Sequence, residues 1–175
     1  QTLVFNQRFA SIRNCLIHPS GTTAANKKFD AVDITNGGTY QLNVGGVSFP
    51  QGGRLSAGNT TGKAGILMEL RKAVGSLYDW SKSFSINTQE FNITDATVGN
   101  TTAVQPGKFL VGVDLNKINS STNMMLNGTS SQNSPINLLL TFGAATAAQR
   151  NLYMVLNYDA ILTIDPRTKQ LSVLQ

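Results

Sequence analysis

Short apolar runs with a two-residue period, each closed by turn-forming residues, constrain this chain more than any other feature. Phe109-Leu110-Val111-Gly112-Val113-Asp114-Leu115 alternates, Ile136 to Phe142 is nearly continuously apolar, and Leu152 to Tyr158 is a third run of that kind. Runs this short suit strands and are too short for most helices, and side chains alternating across the backbone give a strand one face for a core. Further strands are expected at Phe9 to His18, broken by Pro19-Ser20-Gly21, and in Phe29 to Ile34, where Phe29 and Val32 start the strand. Tyr40 to Val44 follows the Asn36-Gly37-Gly38 turn, and Val47-Ser48-Phe49 lies between glycine pairs. Short strands are also expected at Phe84 to Ile86 and Phe91 to Ile93, then Ala160 to Ile164 and Leu171 to Val173 around an Asp165 to Thr168 turn.

The period changes once. Ile66, Leu70, Ala73 or Val74, and Leu77 recur at three- and four-residue spacing, with Glu69, Arg71 and Lys72 off the stripe. One amphipathic helix from about Gly62 to Tyr78 is expected, capped by Thr60 or Thr61, its stripe sealing the end of a sheet pair. About eight strands and one helix in 175 residues imply a single all-β domain, a sandwich or a barrel. No repeat and no Pro-rich or Ser-rich linker divides it.

Charged residues make up only 13% of the chain, and Asn, Thr, Ser and Gly take their place. With 41% hydrophobic residues this is not a disordered composition. The net charge of +5 raises nucleic acid as a partner, but the basic residues are scattered, with adjacent pairs only at Lys27-Lys28 and Arg71-Lys72. No specific nucleic-acid recognition is expected. No apolar stretch approaches the roughly 18 residues of a membrane-spanning helix. The sequence opens at Gln1 without an initiator Met or an apolar leader, so it reads as a piece of a longer polypeptide.

Chemistry has little to draw on. One histidine, His18, and one cysteine, Cys15, cannot make a triad or a zinc site of nitrogen and sulfur ligands, and Cys15 sits in a strand pattern that suits a buried, inert thiol. His18 reads as a polar rim residue at a strand end. Among the scattered carboxylates only Asp114, Asp159 and Asp165 fall near strand ends, where acids usually serve turns. The glycine pairs lack the lysine and following helix of a phosphate loop. Neither catalysis, nor a metal, nor a cofactor is expected. Asn-X-Ser/Thr sequons stand at Asn59, Asn92, Asn100, Asn119 and Asn127, all but Asn92 in expected loops, and such sequons arise readily by chance in this composition.

Four stretches in order carry a family resemblance: Tyr40-Gln41-Leu42-Asn43-Val44-Gly45-Gly46 with Phe49-Pro50, the Leu70-Arg71-Lys72-Ala73 helix, Phe109 to Leu115, and Asn127-Gly128 followed by Ile136 to Phe142. With the closing Tyr153 to Asp165 strand pair, they resemble the C-terminal jelly roll of double-jelly-roll viral major capsid proteins. That lineage includes virophages, polinton-like viruses and large nucleocytoplasmic DNA viruses. The resemblance covers nearly the whole chain and rests on the order and spacing of the motifs.

The resemblance implies an eight-stranded jelly-roll sandwich, residues 1–175, with one amphipathic helix in an inter-strand insertion. It implies a structural subunit of an icosahedral virion, not an enzyme, assembled in the infected host cell. Three polypeptides, each with two jelly rolls, form a pseudo-hexagonal capsomer that meets neighbouring capsomers and minor capsid proteins. A single roll departs from that pattern, leaving a fragment, a cleaved half or a stand-alone vertex component. The competing reading is a carbohydrate- or receptor-binding module, although Trp80 is the only tryptophan and no Asp-X-Asp cluster appears. Inter-subunit contacts are expected from the long polar loops, above all from Met124, Met125 and Leu126, three consecutive apolar residues in a polar segment.

Overall fold

The computed structural model describes residues 1–21, 31, 33–58, 63–77, 86, 91, 108–117, 126–143 and 150–174. The described residues form antiparallel sheets and one helix, an all-β architecture. The strands are β1 (Thr2–Phe5), β2 (Ile12–Gly21), β3 (Thr39–Val44), β4 (Val47–Phe49), β5 (Leu55–Ser56), β6 (Val111–Asp114), β7 (Ile136–Thr141), β8 (Arg150–Tyr158), β9 (Ile161–Ile164) and β10 (Leu171–Leu174). Helix α1 (Lys63–Ala73) lies between β5 and β6. No helix among the described residues is long and apolar enough to cross a membrane.

One sheet runs β1-β7-β3-β4, with β5 also on β3, and a second runs β6-β2-β8. In the first, alternation buries one face: Tyr40, Leu42 and Val44 of β3 lie beside Ile136, Leu138 and Leu140 of β7, with Tyr40 opposite Leu140 and Leu42 opposite Leu138. In the second, Cys15 and Ile17 of β2 pair with Val113 and Val111 of β6. The buried side chains of both sheets form one core. A slip of one residue in either ladder would turn a buried row to solvent, so the apolar pattern fixes the register.

Strand β2 departs from expectation in three ways. It begins at Ile12 instead of Phe9, and a bulge between Ile12 and Asn14 inserts Arg13, so Ile12, Cys15 and Ile17 all reach the core although simple alternation puts Ile12 on the other face. It also continues through Pro19, which pairs with Leu152, where a break was expected. Strand β6 covers β2 only from Asn14 to Ile17, and Ala31 bridges Ser20 just beyond, so Pro19 stands where β2 changes partner instead of in the middle of a continuous ladder on that side. His18 therefore lies within a strand, half-buried, its ring 5.9 Å from that of Tyr153, and burial lowers its pKa.

The helix is shorter than its apolar stripe. Ile66, Leu70 and Ala73 are buried, but Leu77 lies beyond the helix and is exposed. The Gly75 and Ser76 N–H groups donate to the Lys72 and Arg71 carbonyls, a Schellman closure with Gly75 at φ 77° that stops the helix whatever the later residues favour. The expected cap at Thr60 or Thr61 lies outside the described residues. Helix α1 packs on β6 so closely that a Cβ on Gly112 would stand 2.8 Å from the Leu70 Cα, which makes glycine a requirement of this contact.

Strand β1 was not expected from the sequence. The strands expected at Phe109 and Ile136 are placed with shifted ends, β6 starting at Val111 and β7 ending at Thr141. Of the strand expected in Phe29 to Ile34, Ala31 is an isolated bridge residue to Ser20 and Lys108, Asp33 and Ile34 lie in no strand, and the rest lies outside the described residues. Of the pair at Phe84 to Ile86 and Phe91 to Ile93, Ile86 lies in no strand and Phe91 is helical and buried; the rest lies outside the described residues.

Cys15 has no exposed surface, and burial pushes its thiol up to about 12. Since the thiolate is the reactive form, an aromatic disulfide reagent at mildly alkaline pH is expected to label Cys15 only as fast as the chain unfolds. Rapid stoichiometric labelling of the folded protein would contradict the buried placement.

Candidate functional site

Each acid considered for chemistry is held by its neighbours. Asp114 accepts from both the backbone N–H and the side-chain amide of Asn116, at 3.1 and 2.7 Å. Asp165 accepts from the Arg167 and Thr168 N–H groups in the β9–β10 turn, and these bonds lower its pKa. Asp159, between β8 and β9, accepts the Ser11 hydroxyl at 2.8 Å and ion-pairs with Arg13 Nε at 2.6 Å. The Ser11 hydroxyl in turn accepts from the Gly128 N–H at 2.8 Å. A serine on a carboxylate resembles part of a hydrolytic triad, but no imidazole joins it, and Ser11 is fully buried. The cluster ties the start of β2 to the β8–β9 corner. The structure does not bring Asp114, Asp159 and Asp165 to a shared cleft lining.

A well-connected polar group among the described residues was not singled out by sequence reasoning. Asp33 is buried and accepts four hydrogen bonds: from Thr35 N–H and Oγ1 at 2.9 and 2.6 Å, from the Gly37 N–H at 2.9 Å, and from the Tyr40 hydroxyl at 2.7 Å. Burial, then the Asp33 charge, hold the Tyr40 pKa well above the usual tyrosine range. Lys63 is also buried, and burial lowers its pKa while the Asp33 charge opposes that shift. The signal that could have found this group is the Asp33-Ile34-Thr35-Asn36-Gly37 run, since an aspartate two residues before a polar turn residue commonly bonds the turn's own N–H groups.

One open groove of about 620 Å³ runs between β4, α1 and the end of β6, lined among others by Phe49, Gln51, Glu69, Lys72, Asp114 and Lys117. Glu69 and Lys72 pair with each other across one helical turn. Both signs of charge and a single aromatic wall suit a polar surface more than an apolar small molecule. Among the described residues, no group of three or more His, Cys, Asp or Glu residues converges as metal ligands would.

Apolar surface is prominent elsewhere. Among the described residues strand β8 is the last of its sheet, and its Tyr153 and Val155 are more than half exposed. The β9–β10 ribbon pairs Leu162 with Val173 and Ile164 with Leu171, and all four are more than half exposed on one face. Met124 and Met125, expected as contacts, lie outside the described residues, as do the sequons Asn59, Asn92, Asn100 and Asn119. Leu126 is half-buried with φ 56°, and Asn127 is half-buried, its carbonyl accepting from the Lys117 N–H. No family model, no curated protein and no solved structure matches this chain.

Proposed function

We propose that the chain is a jelly-roll module and a structural subunit of an icosahedral viral capsid, working by packing against copies of itself and a second jelly roll. The observation that carries the reading is strand adjacency. In an eight-stranded jelly roll, two Greek keys give sheets in the chain order 1-8-3-6 and 2-7-4-5. Counting β1, β2, β6, β7 and β8 as the third to seventh strands reproduces three of those adjacencies: β1 beside β7, β2 beside β8, and β2 beside β6. On this count β3, β4, β5 and α1 are an insertion between the fourth and fifth strands, and β3 extends the sheet past the sixth. Strand β9, eighth in the count, pairs with β10 instead of β1.

A structural role is supported by where the polar groups go. Asp33, Asp114, Asp159 and Asp165 all hold loops or corners in place, while broad apolar strips on β8 and the β9–β10 ribbon face outward. A monomer gains nothing from such strips, whereas a subunit buries them. The Met124 to Leu126 segment is assigned to a contact between subunits. The alternative, a carbohydrate- or receptor-binding module, draws its support from the polar groove beside β4. Negative-stain microscopy of the polypeptide from its native source separates them. Trimers with a pseudo-hexagonal outline are expected, and single particles that bind a glycan array would favour the alternative.

A further inference from the structure

The groove of about 620 Å³ between β4, α1 and the end of β6 has the size of a small-molecule cleft without the usual apolar lining. We infer that it binds a neutral saccharide, whose C–H face lies on Val47, Phe49 and Pro50 and whose hydroxyls meet Asp114, Asn116 and Glu69.

Charge selects the ligand class first. Two carboxylates, Asp114 and Glu69, and two ammonium groups, Lys72 and Lys117, line the groove, so its formal charge is zero. A phosphate or sulfate meets the two acids there, a cation meets the two lysines, and neither sign gains on entering. A peptide segment anchors through side chains set into apolar pockets, but the apolar residues here, Val47, Phe49 and Pro50, all come from β4 and the residue after it. A sugar hydroxyl both donates and accepts, so it can use carboxylate, amide and ammonium groups together.

The polar groups are held in place before a ligand arrives. Asp114 Oδ1 accepts both the Asn116 N–H at 3.1 Å and its side-chain amide at 2.7 Å, which fixes the Asn116 Oδ1 acceptor and keeps Asp114 Oδ2 out of that pairing. Lys72 pairs with Glu69 through Oε1, so Glu69 Oε2 stays out of that pair likewise. Planar acceptors from β6 and α1 thus line one groove in fixed orientations, which cuts the ordering cost of binding. Gln51 and Lys117, both exposed, add donors. The inference rests on these groups and not on assembly. On a shell that repeats the subunit many times, a weak site of this kind gains by avidity.

Amide shifts of the chain titrated with neutral trisaccharides of glucose, galactose, mannose and their N-acetyl derivatives test this, with sialyllactose and a sulfated heparin trisaccharide as anionic probes. A neutral probe should move the amides of residues 47–51 and 114–117 with a dissociation constant of about 1 mM, and raising the salt should leave that constant unchanged. Asp114→Asn exchanges an acceptor oxygen for an amide and should weaken binding about tenfold, and Gln51→Ala about threefold. Should Asp114→Asn fail to fold by circular dichroism, Gln51→Ala, at an exposed turn residue, decides. Neutral probes that leave these amides unmoved up to about 20 mM overturn the inference, as do shifts from the anionic probes alone or binding that Gln51→Ala leaves at full strength. A trimer whose groove takes no neutral probe overturns this inference and leaves the capsid reading intact, and a monomer that binds one does the reverse.

Discussion

Replacing Asp33 with alanine is expected to lower the unfolding free energy by about 3–5 kcal/mol, the range for removing one partner from a buried charged network. The side chain is 4% exposed and is the acceptor for four donors, so alanine strands the Tyr40 hydroxyl and the Thr35 and Gly37 N–H groups together. Each buried donor left without a partner costs about 1–3 kcal/mol. Asp33→Asn keeps one acceptor oxygen and should cost less. Chemical denaturation followed by far-UV circular dichroism measures both, and a loss below about 1 kcal/mol for alanine would contradict the network's role. Lys63 supplies a pH signature. Its folded pKa is lowered by burial, so the folded state binds fewer protons than the unfolded one just below the usual lysine value, and stability rises with pH across that window. Removing the carboxylate takes away the opposing charge, so the variant should show a steeper rise.

Phe109→Ala is expected to cost about 3–5 kcal/mol, as for other fully buried aromatic rings cut to alanine. Phe109 has no exposed surface, and its ring centroid lies 5.9 Å from Tyr40 and 5.2 Å from Phe91. Tyr40 belongs to one sheet and Phe109 leads into β6 of the other, so this ring joins the two faces of the core. Phe109→Leu refills part of the space and should recover about half. Because Tyr40 touches both Phe109 and Asp33, the Asp33→Ala and Phe109→Ala losses should not add; additivity within about 0.5 kcal/mol would mean the network and the aromatic cluster are independent.

Strands with one buried face were the most legible in sequence. In β3 the apolar residues fall on alternate positions and those positions are the buried ones, and in the nearly continuous apolar run of β7 burial alternates over Ile136, Leu138 and Leu140. What escaped was set by partners instead of by pattern. The bulge at Arg13 and the passage of β2 through Pro19 depend on which neighbour lies alongside, and four residues of β1 become a strand because β7 offers an edge. The helix stripe ran to Leu77, but hydrogen bonds at Gly75 and Ser76 ended it sooner. The acids at strand ends were correctly read as turn and corner residues, whereas Asp33 passed unnoticed since its donors gather only when the 33–40 turn closes.

The proposed function rests on assembly, and sedimentation of the polypeptide from its native source tests that most directly. The account predicts trimers or shell-sized particles that do not dissociate to monomers on dilution. A monomer at every concentration, with saturable binding to a carbohydrate or receptor, would contradict it.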